Sequence, residues 1–582
     1  MVSNEQSVVI PAAEPQGPLA QIRSLAPAYW SANVMELIER WGYYGVRTVL
    51  SLYIVDAAAR GGLEFTHIQK GAIYAWWALV QSLLPMFTGG FADRFGYKKT
   101  IACAMGINIV AYLLMGTQHT YVGFFLACMM LATGTAIFKP GVQGIVANST
   151  EGSKASVGWG IFYAMVNVGG FVGPWSAGFL RAMSWSHVFF ASAFMVALNF
   201  LMLMTFKEPA RAAAAPGAAE DSAIDPDAQP GPFLIAGGVI WLAYTLFSHG
   251  SPVVPAVFTA IALVATLYSR APQAFPAAFK NGVASFGAGF RKLPHAVREP
   301  VDILVSSIAN AFVPKLTAFL IIFSGFWLMF MQLFDLLPNF IDDWVNTSGI
   351  LLWLGQTFHN PTWLQMAQNG QQIPPEWMVN IDAGAIVFLM VPIAAIFSRL
   401  KALHSIIVGI FVAVLGIVLS GATMVGAWCA LGILVFAIGE MMASPKKMEY
   451  LASIAPADKK GLYMGYANIP LAIGWGIGSS IGGYMYQTYG DKITLAKRYM
   501  ATQLNMSPDA IAAIPKEKVM ETLATRLSTT PRGVTELLFQ MHHPEHLWYI
   551  FGAIGIASML GLIVYDRVLA RSAQPAEIAP SV

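Results

Sequence analysis

Along most of this chain apolar residues run in long blocks, with the polar residues collected in the gaps between them. A helix needs about 20 mainly apolar residues to cross a bilayer, so each block predicts a spanning helix. Six blocks come first, near residues 28–56, 69–92, 99–117, 121–148, 155–182 and 185–206. Two shorter ones follow, near 232–248 and 252–269, with no acidic or basic side chain before Arg270 and only His249 between them. They read as an accessory helical hairpin. Six more fit near 313–341, 376–399, 403–423, 426–455, 461–489 and 547–568. The pattern is six, two, six, about fourteen transmembrane helices, and it predicts an all-α membrane protein.

The gaps define the rest of the organisation. Residues 1–27, rich in Pro, Ala and Gln, lack the basic and then apolar order of a cleaved signal peptide and are expected to be a mobile cytoplasmic tail. A first bundle covers 28–206. The linker 207–230 holds Ala-Ala-Ala-Ala-Pro-Gly and is too poor in large apolar groups to pack. The hairpin occupies 231–270 and a basic cytoplasmic connector 271–312, with Lys280, Arg291, Lys292 and Arg298. A second bundle runs over 313–571 and a second tail over 572–582. Within the second bundle, 490–546 is a mixed-charge insertion with room for small surface helices. Arg94, Lys98, Lys99, Lys207, Arg211, Arg399, Lys401, Lys446, Lys447, Lys459 and Lys460 fall on one side of the membrane if the N-terminus is inside. The positive-inside rule therefore places both termini in the cytoplasm of a cell whose inner or plasma membrane holds the protein, and the 490–546 insertion outside.

Composition agrees with the bilayer: 56% of residues are hydrophobic and 11% charged, with mean hydropathy +0.58. The net charge of +3 comes in short clusters, which speaks against nucleic-acid binding. Cys103, Cys128 and Cys429 lie inside apolar segments without metal or disulfide spacing. The histidines lie mostly in loops or at span ends, and neither HExxH nor GxSxG occurs. No enzyme, metal or cofactor beyond a coupling proton is expected.

Ionisable residues inside spans are the informative exceptions, since each costs roughly 2.5 to 3.5 kcal/mol to insert. At about 100° per residue, Glu36, Arg40, Tyr43 and Arg47 fall on one stripe of the first helix with Glu39 beside it. Glu36 and Arg40 can pair at i,i+4, as can Glu39 and Tyr43. The competing reading is a self-neutralised structural stripe. Span four carries Lys139 beside the helix-breaking Pro140, a base whose charge responds to desolvation and to neighbouring carboxylates. In the second half Asp335, Asp382 and Glu440 are the comparable intrusions.

The segment Glu36-Leu-Ile-Glu39-Arg40-Trp-Gly-Tyr43-Tyr44-Gly45 resembles the ExxER(F/W)xYYG signature of the proton-dependent oligopeptide transporters within the major facilitator superfamily. Phe162-Tyr163-Ala-Met-Val-Asn167-Val-Gly169 resembles the same family's FYxxxNxG signature. Gly89-Gly90-Phe-Ala-Asp93-Arg94-Phe-Gly96-Tyr-Lys98-Lys99 is similar to a loop motif of the wider superfamily, and Gly439-Glu440 with Ser444-Pro445 looks like the helix-ten pattern. The resemblance implies two six-helix bundles, with substrate held midway between them. It implies that Glu36, Glu39, Arg40 and Lys139 couple proton movement to transport. Arg40 and Lys139 would hold a peptide carboxylate, Asn167 and Glu440 its amino end, and Tyr43 and Tyr44 would line the site. The chain departs from the family at three places. Ser82 stands where a tyrosine is expected before Pro85, and Met331 where an acidic gate residue is expected before Gln332. Asp335, one turn on, is then the substitute partner of Arg47. Asp382 puts a carboxylate where an amide is expected, which makes the amino-end pocket more acidic.

The expected protein is a monomeric symporter that uses protons and the bilayer to import di- and tripeptides or a related amine-bearing zwitterion. The alternatives are a transporter of a non-peptide or cationic solute, an uncoupled facilitator or exporter, and a non-transporting membrane sensor.

Overall fold

In the computed structural model the hydrophobic blocks are helices. The described residues are 18–85, 88, 92, 95–150, 155–208, 227–247, 253–292, 294–397, 400–456 and 460–570. The N-terminal tail to residue 17, Gly89, Gly90, Asp93 and Arg94 of the loop motif, linker residues 209–226, His249, Arg399, Lys459 and residues 571–582 lie outside them. Fourteen helices occupy the positions of the fourteen blocks. The first six are α1 (Pro27–Tyr53), α2 (His67–Leu83), α3 (Tyr97–Met115), α4 (Tyr121–Ser149), α5 (Ala155–Met183) and α6 (Trp185–Met204). The hairpin is α7 (Pro230–Phe247) and α8 (Val253–Arg270). The last six are α9 (Pro314–Phe330), α10 (Ile381–Phe397), α11 (Ala402–Gly421), α12 (Gly426–Ile454), α13 (Ile469–Met485) and α14 (His546–Tyr565).

Among the described residues, eight helices are long and apolar enough to cross a membrane by length and composition. Helix α1 is not one of them, because Glu36, Glu39, Arg40 and Arg47 interrupt its apolar run; all four are buried, so their charges face protein rather than the periphery. Many large apolar side chains are exposed instead, among them Val122, Leu126, Phe194, Leu201, Phe388, Val391 and Leu560. A surface of that kind suits lipid.

Glycines let the helices approach. On α5 a Cβ at Gly169 would stand 2.5 Å from the Leu37 carbonyl oxygen of α1, and one at Gly45 would stand 3.2 Å from the Gly173 carbonyl. Small residues at helix crossings give backbone contact where no hydrophobic effect drives association. Helix α2 meets α13 in the same way: a Cβ at Gly71 would lie 3.3 Å from Gly483 Cα and against the Ser479 carbonyl.

Some blocks are broken, and the one near 376–399 has a short helix Pro375–Val379 ahead of α10. The one near 313–341 ends as a helix at Phe330, continues as Gln332–Asp335 and restarts as Leu337–Trp344, where Pro338 occupies a first-turn position that needs no N–H donor. The one near 461–489 opens as Lys460–Gly465, passes through a tight turn at Tyr466–Asn468 and becomes α13 at Ile469-Pro470. The connector contains helices Ala277–Arg291 and His295–Asn310, and the loop before α10 contains Ser348–Thr357 and Pro361–Gln368. The 490–546 insertion folds as Lys492–Thr502, Pro508–Ala512, Val519–Arg526 and Pro531–His542, with Val519, Leu523, Val534 and Leu538 in its own small core.

The chain divides into two compact units. One comprises Met1–Ala212, Ser324–Lys447 and Asn468–Met559. The other comprises Ala213–Phe323, Met448–Ala467 and Leu560–Val582. Within the second, α7 and α8 pair through Gly231 against Thr266 and Gly238 against Thr259. Phe319 packs on Tyr450 at 4.7 Å, and the Tyr450 hydroxyl donates to Tyr565 at 2.8 Å.

Candidate functional site

Every candidate site residue named from the sequence lies in the first unit. On α1, Arg40 Nε donates to Glu39 Oε2 at 2.6 Å and lies 3.4 Å from Glu36 Oε1, while Nη2 also pairs with Glu39. The guanidinium is 4.9 Å from the Tyr43 ring centre and 5.8 Å from that of Tyr44, close enough for cation–π attraction. Both oxygens of Glu36 and Oε1 of Glu39 are buried with no hydrogen-bond partner among the described residues. Two carboxylates thus share one guanidinium.

Helix spacing allows Tyr43 to bond Glu39, but it does not. Its hydroxyl donates to Gln81 Oε1 of α2 at 2.9 Å, and Trp77 Nε1 donates to the same oxygen at 2.5 Å. The neighbouring helix offers a neutral acceptor while Glu39 is engaged by Arg40. Lys139, on α4 at its internal proline, is exposed and makes no hydrogen bond or ion pair among the described residues. It lies within Coulombic range of Glu36, Glu39 and Arg40. Asn167 of α5 donates to the Tyr163 carbonyl one turn back at 2.8 Å. Ser82 is buried with its hydroxyl unpartnered among the described residues.

In the second half Asp382 of α10 is buried and Glu440 of α12 partly so, and the two carboxylates are within Coulombic range of each other. Asp382 Oδ1 and Glu440 Oε2 have no hydrogen-bond partner among the described residues. Lys447 lies one to two turns beyond Glu440 on α12, with Nζ 4.6 Å from the Trp327 ring centre.

A third cluster joins residues from both halves of the chain. Arg47 of α1 pairs directly with Asp335, and both are buried. Asp335 Oδ2 also accepts from Ser479 Oγ at 2.5 Å and Trp475 Nε1 at 3.1 Å, both on α13. The Arg47 guanidinium lies over Tyr74 at 4.2 Å and Trp475 at 5.1 Å. Lys70 of α2 donates to the Asp335 carbonyl at 2.8 Å and to Asn339 Oδ1 at 2.5 Å, and Asn339 Nδ2 donates to the Ser51 carbonyl at 3.0 Å. Met331 is buried at the head of Gln332–Asp335; its thioether offers no charge, and Asp335 one turn on carries the acid.

A second tie lies nearby in sequence order. Arg181 of α5 donates to Glu376 at 2.7 Å, Trp377 Nε1 donates to the Trp175 carbonyl at 3.1 Å, and Asn380 donates to the Phe171 carbonyl at 2.8 Å. Just outside the spans, Asp343 accepts from the Tyr486 hydroxyl at 2.8 Å and has Lys492 Nζ at 3.8 Å. Burial pushes its carboxyl up to about 7. Lys70, Gln81 and the Arg181–Glu376 pair escape sequence reasoning. Lys70 and Arg181 sit at helix ends, where a charge usually reaches water, and Gln81 carries no charge to flag it.

The Major Facilitator Superfamily family model matches residues 34–479. An uncharacterized transporter of Bacillus subtilis (strain 168), YclF, is 27% identical over 199 residues, 33% of this chain and 39% of its own length. A di-/tripeptide transporter of Lactococcus lactis subsp. lactis (strain IL1403) is 28% identical over 144 residues, 24% of this chain and 29% of its own length. The match thus spans well under half of these curated relatives. The crystal structure of the POT family transporter PepTSo superposes over 94% of this chain and 99% of that one, with a TM-score of 0.58 and 17% identity. The two share a fold.

Proposed function

This chain belongs to the Major Facilitator Superfamily, and on that premise we propose that it is a proton-coupled symporter of the oligopeptide-transporter type, importing small peptides or a related amine-bearing zwitterion by alternating access. The observation that carries the reading is the buried group Glu36, Glu39 and Arg40 with Lys139 in range. Two acids and two bases sum to zero when all are charged. A substrate carboxylate arriving at Arg40 or Lys139 adds one negative charge in a region of low dielectric, and one proton on a glutamate restores neutrality. Protonation also frees Arg40 from the carboxylate it would otherwise pair with, so proton and substrate favour the same state. Asp382 and Glu440 offer acceptors for the ammonium end. The similarity to a di-/tripeptide transporter of Lactococcus lactis supports the substrate class.

The same reading places the 490–546 insertion and the Arg47–Asp335 cluster on the extracytoplasmic side, by the Lys and Arg bias of the loops. The protein acts as a monomer and needs no cofactor other than the proton. The test is uptake into proteoliposomes under an imposed inward pH gradient. Wild type should accumulate dipeptide, Glu36→Gln should lose the gradient dependence, and Lys139→Ala should lose uptake by at least about tenfold, the loss of one charge-assisted hydrogen bond. Uptake that stays gradient-driven in both variants defeats the assignment.

Asp382 favours a second substrate class. A second buried carboxylate near Glu440 suits a solute with an additional cationic group, such as a basic peptide or a polyamine.

A further inference from the structure

The corner where the 490–546 insertion joins α14 carries the sequence His542-His543-Pro544-Glu545-His546. One ligand atom each from His543, Glu545 and His546 lies within 4.8 Å of the others. We infer that these three side chains form a site for one divalent transition-metal ion, with zinc the natural occupant of a two-imidazole, one-carboxylate donor set. Three protein ligands with a fourth position left to water is an ordinary zinc arrangement.

Four observations converge on it. His543 Nδ1 and Glu545 Oε1 are 2.9 Å apart, so a nitrogen and an oxygen already face each other. The rings of His543 and His546 stack at 5.1 Å with planes 13° apart, which brings the two imidazoles to one side of the corner. The other oxygen of Glu545, Oε2, is buried and has no hydrogen-bond partner among the described residues, and neither has Nε2 of the adjacent His542. His543 itself adopts φ +49°, a left-handed conformation uncommon for a residue with a Cβ, as it caps helix Pro531–His542. That conformation turns the chain so that a residue from the end of one helix meets residues from the start of the next. The hydrogen bond alone would explain one His and one oxygen; it leaves the second imidazole and the second oxygen unexplained.

Zinc donors lie about 2.0–2.2 Å from the metal, so the three atoms must close in by rotating side chains, and His543 and His546 are exposed and free to do so. The ion would staple the insertion to the first turn of the last spanning helix. The inference is independent of which solute is carried.

Isothermal titration of ZnCl2 into the full chain in detergent, with any polyhistidine tag removed, tests it. Wild type should bind one zinc per chain, and cobalt in its place should give the visible absorption of a tetrahedral site. His543→Asn, which tolerates the left-handed backbone, and His546→Gln should each weaken binding by at least about tenfold. Zinc should raise the thermal unfolding midpoint of wild type and leave that of the double variant unchanged, while metal-free midpoints agree. Equal zinc binding by wild type and double variant, or no stoichiometric binding by wild type, overturns the site.

Discussion

Four bonds converge on Asp335: Arg47, Ser479 and Trp475 at its side chain and Lys70 at its carbonyl. A buried ion pair gains little over an apolar pair, but breaking one strands the other charge at a cost of about 3–5 kcal/mol. Asp335→Asn should therefore lower the thermal midpoint in detergent markedly, and Arg47→Met combined with Asp335→Leu should recover much of the loss. Scanning fluorimetry of the single and double variants checks this, and a double variant as unstable as the single would show that the bonds to Ser479 and Trp475 matter more than the charge. Asp382 supplies a second expectation. Asp382→Asn removes one of two neighbouring acids and should shift preference toward neutral peptides, read by competition of di- and tripeptides against polyamines and basic peptides. An unchanged profile would reduce Asp382 to a helix-end charge.

For helices, close approach replaces the hydrophobic effect as the source of specificity. Gly169 faces the Leu37 carbonyl at a separation no Cβ can keep, whereas Gly160, on the same helix, has nothing within 4 Å of its would-be Cβ. Gly169→Leu should abolish the yield of folded protein. Gly160→Ala should be neutral or stabilising, by up to about 1 kcal/mol, because alanine is the better helix former. Size-exclusion profiles of the two variants decide. The element after α9 carries a pH dependence. Asp343 holds its proton to about 7 in the folded protein, where burial opposes its ionisation, against 3.8 for the free side chain. Between those values the folded state binds the extra proton, so stability falls as pH rises across that window, by at most about 1.4 kcal/mol per pH unit. Asp491 nearby does not offset this. Despite burial, its bonds to His67 and Thr494 hold its carboxyl well below the usual range, so its contribution changes only in stronger acid. His67, whose imidazole burial pushes down to about 4, contributes the opposite slope up to about 6.5. The Asp343 contribution is therefore read as a difference: the unfolding midpoint of wild type relative to Asp343→Asn should decline from pH 5 to pH 8.

At the scale of the molecule, bonds among the described residues that join the two halves of the chain within the first unit gather around Arg47–Asp335 and around Arg181–Glu376, and His67 N also donates to Gln487 Oε1 at 2.8 Å. The insertion adds Lys516 Nζ donating to the Val55 carbonyl at 2.5 Å and His67 facing Asp491 at 3.7 Å. Under the proposed alternating access, all of these break together. Asp335→Asn with Arg181→Gln should then favour the state in which this end is open. Spin labels at Ala58→Cys and Glu517→Cys, in a background with exposed Cys103 replaced, should report a longer distance in the double variant than in wild type. Identical distance distributions would mean that the glycine contacts of α2 and α13, rather than the ion pairs, hold the end shut.

Apolar blocks along the chain mark where the fourteen helices lie, because a bilayer has no water to satisfy exposed backbone, although only eight of the described helices are apolar and long enough to be recognised as spans by that criterion alone. The cost of an intramembrane charge likewise marks Glu36, Glu39, Arg40, Lys139, Asp382 and Glu440 without any structure. Partnership is another matter. Helix spacing permits Tyr43 to reach Glu39, yet Gln81 takes that bond. Lys70 reads as a helix-end charge, yet it is buried between the Asp335 carbonyl and Asn339. The division of labour between His543, Glu545 and His546 is invisible until the left-handed turn at His543 brings them together. A periodicity fixes which face of its own helix a side chain occupies; which neighbour meets that face depends on helix crossings set by glycines far apart in the chain, and only the tertiary structure decides those.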